Sequence, residues 1–231
     1  MNKSQYRFEI KFKIPYVNIA DLYNWLDSKK FFARSFPSRI VNSLYFDSPN
    51  FFSASSNMAG DTNRSKFRIR GYGEQLDFNS LENTTLNFEI KRKKNNISSK
   101  KIFPFLNHEI KKNFKSNNYY LRSRVNSFLK DWNYSEFDYL RETIFVKYRR
   151  MYFENILNRQ IRITIDESIS YKSTFEGSNY NLISMDYVVA EIKFPNNCKE
   201  FTSELLMNFP FRQTRFSKYL SCMSKLHNNP Y

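Results

Sequence analysis

The sequence predicts an α+β fold, mainly β, of about eight strands with few helices. Three observations carry this. Several segments alternate apolar and polar residues with a period of two, the mark of a strand with one buried face. Short groups of Asn, Ser and Pro interrupt them, so hairpin connections and mostly antiparallel pairing are expected. Only four stretches read as helices, at 19–29, 116–132, 199–208 and 216–226.

The first strand, Tyr6–Ile14, alternates strictly. Tyr6, Phe8, Ile10, Phe12 and Ile14 lie on one face, and Arg7, Glu9, Lys11 and Lys13 on the other. The helix at 19–29 follows, with Leu22, Trp25 and Leu26 on one side. A second strand, 42–47, is stopped by Ser48-Pro49-Asn50. The Phe-rich segments at 31–36 and 51–52 read as core or rim. The third strand, 64–72, sets Arg64, Lys66, Arg68, Arg70 and Tyr72 against Phe67 and Ile69. The fourth, 86–94, sets Asn87, Glu89, Lys91 and Lys93 against Phe88 and Ile90, which leaves Arg92 and Lys94 to solvent. A short strand near 100–103 comes next, then the helix at 116–132 and a strand at 143–153 with imperfect alternation. Ile161, Ile163 and Ile165 alternate with Gln160, Arg162, Thr164 and Asp166, and 168–173 reads as a separate short strand. The last strand, 187–194, precedes the two C-terminal helices.

The length of 231 residues suits a single domain over 1–231, and neither repeat nor linker interrupts it. No apolar run of 18 residues exists, so no transmembrane segment is expected. The first residues lack the apolar stretch of a classical signal peptide, and a cytoplasmic location is expected. Two cysteines (Cys198, Cys222) and two histidines (His108, His227) show no zinc-ligand spacing. The histidines read as surface residues. Four glycines (Gly60, Gly71, Gly73, Gly177) provide neither a Walker A loop nor a G-x-G-x-x-G turn, and no G-x-S-x-G elbow occurs.

What remains is charge. Lys and Arg total 37 against 22 Asp and Glu, a net charge of +15. An AT-rich coding sequence inflates lysine, but 16 of the 37 are arginine. A polyanionic partner is therefore expected. For a single strand, a charged face is ordinarily just the solvated side. Four or five such strands in one chain favour another arrangement. An eight-stranded barrel is wide enough to hold a small ligand. With the charged faces inward, its lumen would be a basic tunnel, with the apolar faces packed outward against helices. Phosphoryl transfer needs such a lumen, because its catalysis is mainly positioning and charge stabilisation. Arginine grips phosphate at two points, and a hard divalent cation wants carboxylates.

Arg7-Phe-Glu9-Ile-Lys11, Ser43-Leu-Tyr45-Phe-Asp47, Arg68-Ile-Arg70, Glu89-Ile-Lys91, Tyr148-Arg-Arg150, Arg162-Ile-Thr-Ile-Asp166, Glu191-Ile-Lys193 and Arg215-Phe-Ser217-Lys218-Tyr219 follow in order along the chain. In these segments the sequence resembles the VTC-type polyphosphate polymerase domain of the triphosphate tunnel metalloenzyme superfamily, which is CYTH-like. The resemblance implies an eight-stranded antiparallel tunnel barrel with a charged lumen and helices outside. It also implies a metal-dependent phosphotransferase that moves the γ-phosphoryl group of a nucleoside triphosphate, such as ATP, onto polyphosphate. The triphosphatase and cyclase branches usually begin Glu-x-Glu-x-Lys. Here Arg7 replaces the first Glu, which removes a metal ligand and adds a phosphate grip.

By this resemblance Lys11, Arg68, Arg70, Lys91, Arg150 and Arg162 would line the tunnel and hold phosphates. Tyr148 would donate a hydrogen bond. Lys218, with Arg215 and Ser217, would close the site from the C-terminal helix. Lys218 and Arg150 are the expected catalytic residues, and Lys218 would touch the transferring phosphate. The family often has Lys in place of Arg215. Glu191 would bind the divalent metal, Mn²⁺ or Mg²⁺. Glu9 and Glu89 read either as metal ligands or as salt-bridge partners, the basic surroundings favouring the latter, and Asp166 as a structural partner of Arg or Lys. Two other functions use the same features. One is hydrolysis of tripolyphosphate or nucleoside triphosphate in the same tunnel. The other is non-enzymatic binding of RNA or polyphosphate by charge and stacking. Carboxylates amid the arginines speak against a specific nucleic-acid face. No protein partner can be named from the sequence.

Overall fold

The computed structural model describes residues 7–74, 86–94, 97–105, 118–131, 139–174 and 181–226. His108, His227 and Lys111-Lys112 lie outside them. In chain order the elements are β1 (Arg7–Pro15), α1 (Ile19–Ser28), β2 (Phe32–Asp47), α2 (Phe52–Ala59), β3 (Asn63–Tyr72), β4 (Asn87–Lys94) and β5 (Ile97–Pro104). Then come α3 (Asn118–Asp131), β6 (Arg141–Asn155), β7 (Arg162–Ser173), β8 (Ile183–Ser184), β9 (Tyr187–Pro195), α4 (Lys199–Leu206) and α5 (Lys218–Leu226). The hydrogen-bonded strand order is β1-β9-β7-β6-β2-β3-β4-β5, with β8 on β7.

The mainly β, antiparallel class holds, but among the described residues the strand order does not close on itself. Strands β1 and β5 end the order instead of pairing with each other. At the β1 edge the reason is visible. Thr214 N–H donates to the Lys11 carbonyl at 2.8 Å, and Lys13 N–H donates to Thr214 Oγ1 at 3.2 Å. The segment before α5 thus satisfies an edge that a strand would otherwise have to cover.

The residues group into two compact units. The first holds 1–39, 148–170 and 184–217. Here the apolar faces of β1, β7 and β9 come together, although Phe8 stays 40% exposed and β9 is buried on both faces. Phe12, Ile14, Ile161, Ile163, Ile165, Val188, Ala190, Ile192 and Phe194 form one buried face. It packs on Leu22, Trp25 and Leu26 of α1 and Leu205 of α4. The second unit holds 40–147, 171–183 and 218–231. Its core sets Leu44, Phe46, Phe67, Ile69, Phe88 and Ile90 against Leu121, Val125, Phe128 and Leu129 of α3.

Three elements depart from the sequence reading. Strand β2 starts ten residues earlier than expected, because 32–40 is mostly exposed and carries no period-two signal. Residues 160–166 and 168–173 belong to one strand, β7 from Arg162, in which Ser168 takes a left-handed φ of 48°. Helix α2 was unexpected, since its FSASSNMA sequence is rich in poor helix formers. Side chains supply its start: Ser48 Oγ accepts from Phe52 N–H, and the Asp47 carboxylate accepts from Ser53 and Ala54 N–H. Four N–H groups at a helix start need such acceptors.

Candidate functional site

Each unit carries a charged sheet face on the side away from its apolar core. In the first unit the register sets Lys11 opposite Glu191 and Glu9 opposite Lys193. On the other side of β9, Thr164 lies opposite Glu191 and Arg162 opposite Lys193. The four central side chains form a square of alternating charge. Lys11 Nζ is 2.8 Å from Glu9 and 3.6 Å from Glu191, and Lys193 Nζ is 3.0 Å from Glu191 and 4.0 Å from Glu9. Lys11 also donates to the Phe216 carbonyl at 3.3 Å, which ties the square to the segment holding Arg215 and Ser217.

Deeper on the same face, Arg150 grips Asp166 at two points, each 2.6 Å. The Asp166 carboxylate is fully buried. Burial alone would lower the Arg150 pKa. The Asp166 charge outweighs it, helped by Glu191, and holds the guanidinium well above its usual value. Tyr148 is buried, with the Arg150 guanidinium 5.3 Å from its ring centre. Arg162 stands further out and 3.9 Å from Glu154. Thr164 Oγ1 is buried with no hydrogen-bond partner among the described residues.

In the second unit the pairings are Ser43 with Arg70 and Tyr45 with Arg68. Next come Arg68 with Glu89 and Lys66 with Lys91, and then Lys91 with Lys100. Glu89 sits at the centre. Arg68 reaches it at 2.6 Å, Lys100 at 2.7 Å and Arg70 at 3.8 Å. Burial opposes its ionisation, but Arg68, Arg70 and Lys100 prevail and hold its carboxyl at about 2. Lys91 is exposed. Lys218, the first residue of α5, is 8% exposed.

The structure therefore gathers the sequence-predicted residues into two groups. Lys11, Tyr148, Arg150, Arg162 and Glu191 share the first face, and Arg68, Arg70 and Lys91 share the second. Arg215 is exposed, Ser217 half-buried, and both precede α5. The Arg7 backbone pairs with Pro195; its side chain lies outside the described residues. Glu9, Glu89 and Asp166 are all in ion pairs. Sequence reasoning gave no role to Lys100, nor to Tyr45, Asp47 and Tyr219, although these three stand in the motifs quoted above. Lys100 had a usable signal, since a hairpin with β4 sets it opposite Lys91.

Among the described residues no group of three or more His, Cys, Asp or Glu side chains could hold a metal ion. The square offers two carboxylates, Glu9 and Glu191. That suits a hard cation which takes one or two carboxylates and fills its shell with substrate phosphate and water oxygens. No helix among the described residues is long and apolar enough to cross a membrane.

Three solved structures share the fold. A Bacillus halodurans protein, a candidate adenylate cyclase, aligns with TM-score 0.55 and 15% identity over 94% of this chain and 97% of its own. A candidate adenylyl cyclase from Hippeastrum, described as revealing a dominant triphosphatase activity, gives 0.54 and 14% over 98% of both chains. A Pyrococcus horikoshii protein gives 0.53 and 11% over 96% of this chain and 99% of its own. No curated protein sequence matches significantly. The profile of the VTC domain matches residues 6–227, almost the whole length over which the two charged faces are built, and the chain belongs to the VTC domain family.

Proposed function

We propose that this protein is a polyphosphate polymerase that transfers the γ-phosphoryl group of a nucleoside triphosphate to a polyphosphate chain. One observation carries the reading: three cations, Arg68, Arg70 and Lys100, converge on the single carboxylate of Glu89. These cations line a sheet face, where a linear phosphate chain can lie along them. In the proposed reaction the terminal oxygen of the acceptor attacks the γ-phosphorus in line, and the nucleoside diphosphate leaves. No side-chain nucleophile is needed. Lys11, Arg68, Arg70, Lys91, Arg162, Arg215 and Ser217 hold phosphates, and Tyr148 donates a hydrogen bond. Arg150 and Lys218 stabilise charge on the transferring group. Glu191, with Glu9 beside it, would hold Mn²⁺ or Mg²⁺, which would neutralise phosphate charge. The proposal takes 1–231 as one functional domain, and a nucleoside triphosphate donor would fit a cytoplasmic protein.

A second reading is hydrolysis of tripolyphosphate or nucleoside triphosphate, with water as acceptor. The triphosphatase activity ascribed to the Hippeastrum protein favours it. One experiment separates the readings: incubate the protein with ATP and Mn²⁺ and size the phosphate products on a gel. A ladder of long chains supports the polymerase. ADP and orthophosphate alone support the hydrolase. No turnover, with salt-sensitive RNA binding, refutes both.

A further inference from the structure

Asp47 ends β2 and is fully buried. Its Oδ1 accepts from the N–H groups of Ser48 and Ser53, each at 2.8 Å. Its Oδ2 accepts from Ala54 N–H at 2.9 Å and from the Tyr219 hydroxyl at 2.7 Å. Ser53 and Ala54 belong to the first turn of α2, and Ser48 to the turn before it. Tyr219 belongs to the first turn of α5, 172 positions away in sequence. It is 2% exposed. Burial and the Asp47 charge push its pKa far above that of an ordinary phenol, so it remains a donor.

The Tyr219 ring has a second anchor. It stacks on Tyr45, with centroids 5.1 Å apart and planes 20° apart. Tyr45 lies opposite Arg68 in the register, and its hydroxyl is 3.4 Å from Arg68 Nη1. Arg68 in turn pairs with Glu89. The first turn of α5 is thus held at two points to the strand that borders the arginine wall. A Phe at position 219 would keep the stack, and Asp47 would keep three backbone donors. The hydroxyl is not required to bury the ring or to start α2. What it adds is a fixed rotation of the helix's first turn. One residue earlier, that rotation sets where the Lys218 side chain leaves the backbone.

We infer that Asp47 and Tyr219 are positioning residues that orient Lys218 for the transferring phosphate. This rests on the role proposed above for Lys218. The test is a double-mutant cycle on the full chain: wild type, Tyr219→Phe, Lys218→Met and the double variant. It reads kcat and KM for ATP with Mn²⁺, the Kd for tripolyphosphate, and thermal melting. Tyr219→Phe should lower kcat about tenfold while KM changes less than threefold. In the Lys218→Met background it should change kcat no further, because residues acting through one group are not additive. Asp47→Asn should show the same pattern, and it replaces Tyr219→Phe if that variant does not fold. Wild-type kcat in the folded variants, or an undiminished tenfold loss in the Lys218→Met background, overturns the inference while leaving the functional reading intact. A wild-type protein that neither turns over ATP nor binds tripolyphosphate overturns both.

Discussion

Replacing Glu89 by Gln removes a buried anion from the arginine wall and keeps its shape. The side chain is 5% exposed, with Arg68 at 2.6 Å and Lys100 at 2.7 Å. Burial would raise its pKa, but the cations hold it at about 2 against an ordinary 4.5. That gap of 2.5 corresponds to roughly 3 kcal/mol favouring the ionised carboxylate in the folded protein. Because the folded value is the lower one, the contribution is complete above pH 4.5. It declines as pH falls towards 2 and vanishes below. Gln cannot ionise and takes a carboxylate away from Arg68, Arg70 and Lys100. Near pH 7 the variant should therefore be less stable by about 3 kcal/mol, or about 6–12 °C in Tm for a chain of this size. Urea unfolding at pH 7, 5, 4 and 3 measures the difference. It should be constant from pH 7 to 5 and fall to less than about half by pH 3. Tripolyphosphate should restore more of the melting temperature in the variant than in wild type, since it returns negative charge to the wall. Equal stability of the two proteins at pH 7, or a difference that persists unchanged to pH 3, would refute the reasoning.

Lys218→Met keeps an apolar stem in a position that is 8% exposed. It should cut the initial rate of phosphate transfer from ATP by about a hundredfold or more, with little change in melting; a folded variant with the wild-type rate returns Lys218 to a structural role. Glu191→Gln should abolish turnover while tripolyphosphate binding, followed by calorimetry, stays measurable, and unchanged Mn²⁺-dependent activity would show that Glu191 is no metal ligand. In the wild type, Mn²⁺ and tripolyphosphate should each tighten the other's binding by the same factor in paired titrations, because phosphate draws Lys11 and Lys193 away from the carboxylates that a cation needs. Arg150→Met strands the fully buried Asp166 carboxylate and should cost about 3–5 kcal/mol in urea unfolding, against near-neutrality if the pair were only peripheral.

The legibility of the fold follows from where burial is one-sided. Strands β1, β3 and β4 have one apolar and one polar face, and period two exposes them directly in the sequence. The early half of β2 is exposed on most residues and has no such signal. Helix α2 escaped for a different reason. Its start depends on Asp47 and Ser48 side chains, which precede a segment of low intrinsic propensity. For the site, alternation identified which face each charged residue occupies. It could not identify the neighbours across strands. That Lys100 reaches Glu89, or that Tyr219 reaches Asp47, is decided by register and by a contact 172 positions long.

A net charge of +15 suggests positive charge everywhere, and the register shows otherwise. On the first face each cation meets a carboxylate: Lys11 and Lys193 share Glu9 and Glu191, Arg150 takes Asp166, and Arg162 stands near Glu154. On the second, Glu89 faces three cations. The two faces therefore suit different work. The second gathers Arg68, Arg70 and Lys100 around one carboxylate among the described residues, so a polyanion laid along it would meet clustered cations. The first must exchange partners before it can hold one, since phosphate oxygens have to compete with Glu9 and Glu191 for the lysines. When they do, two carboxylates lose their counter-ions on a half-buried face, and leaving them so is costly. A divalent cation removes that cost. Charge balance on the first face thus gives a physical reason for the metal dependence proposed above, one that composition and motif alone do not contain.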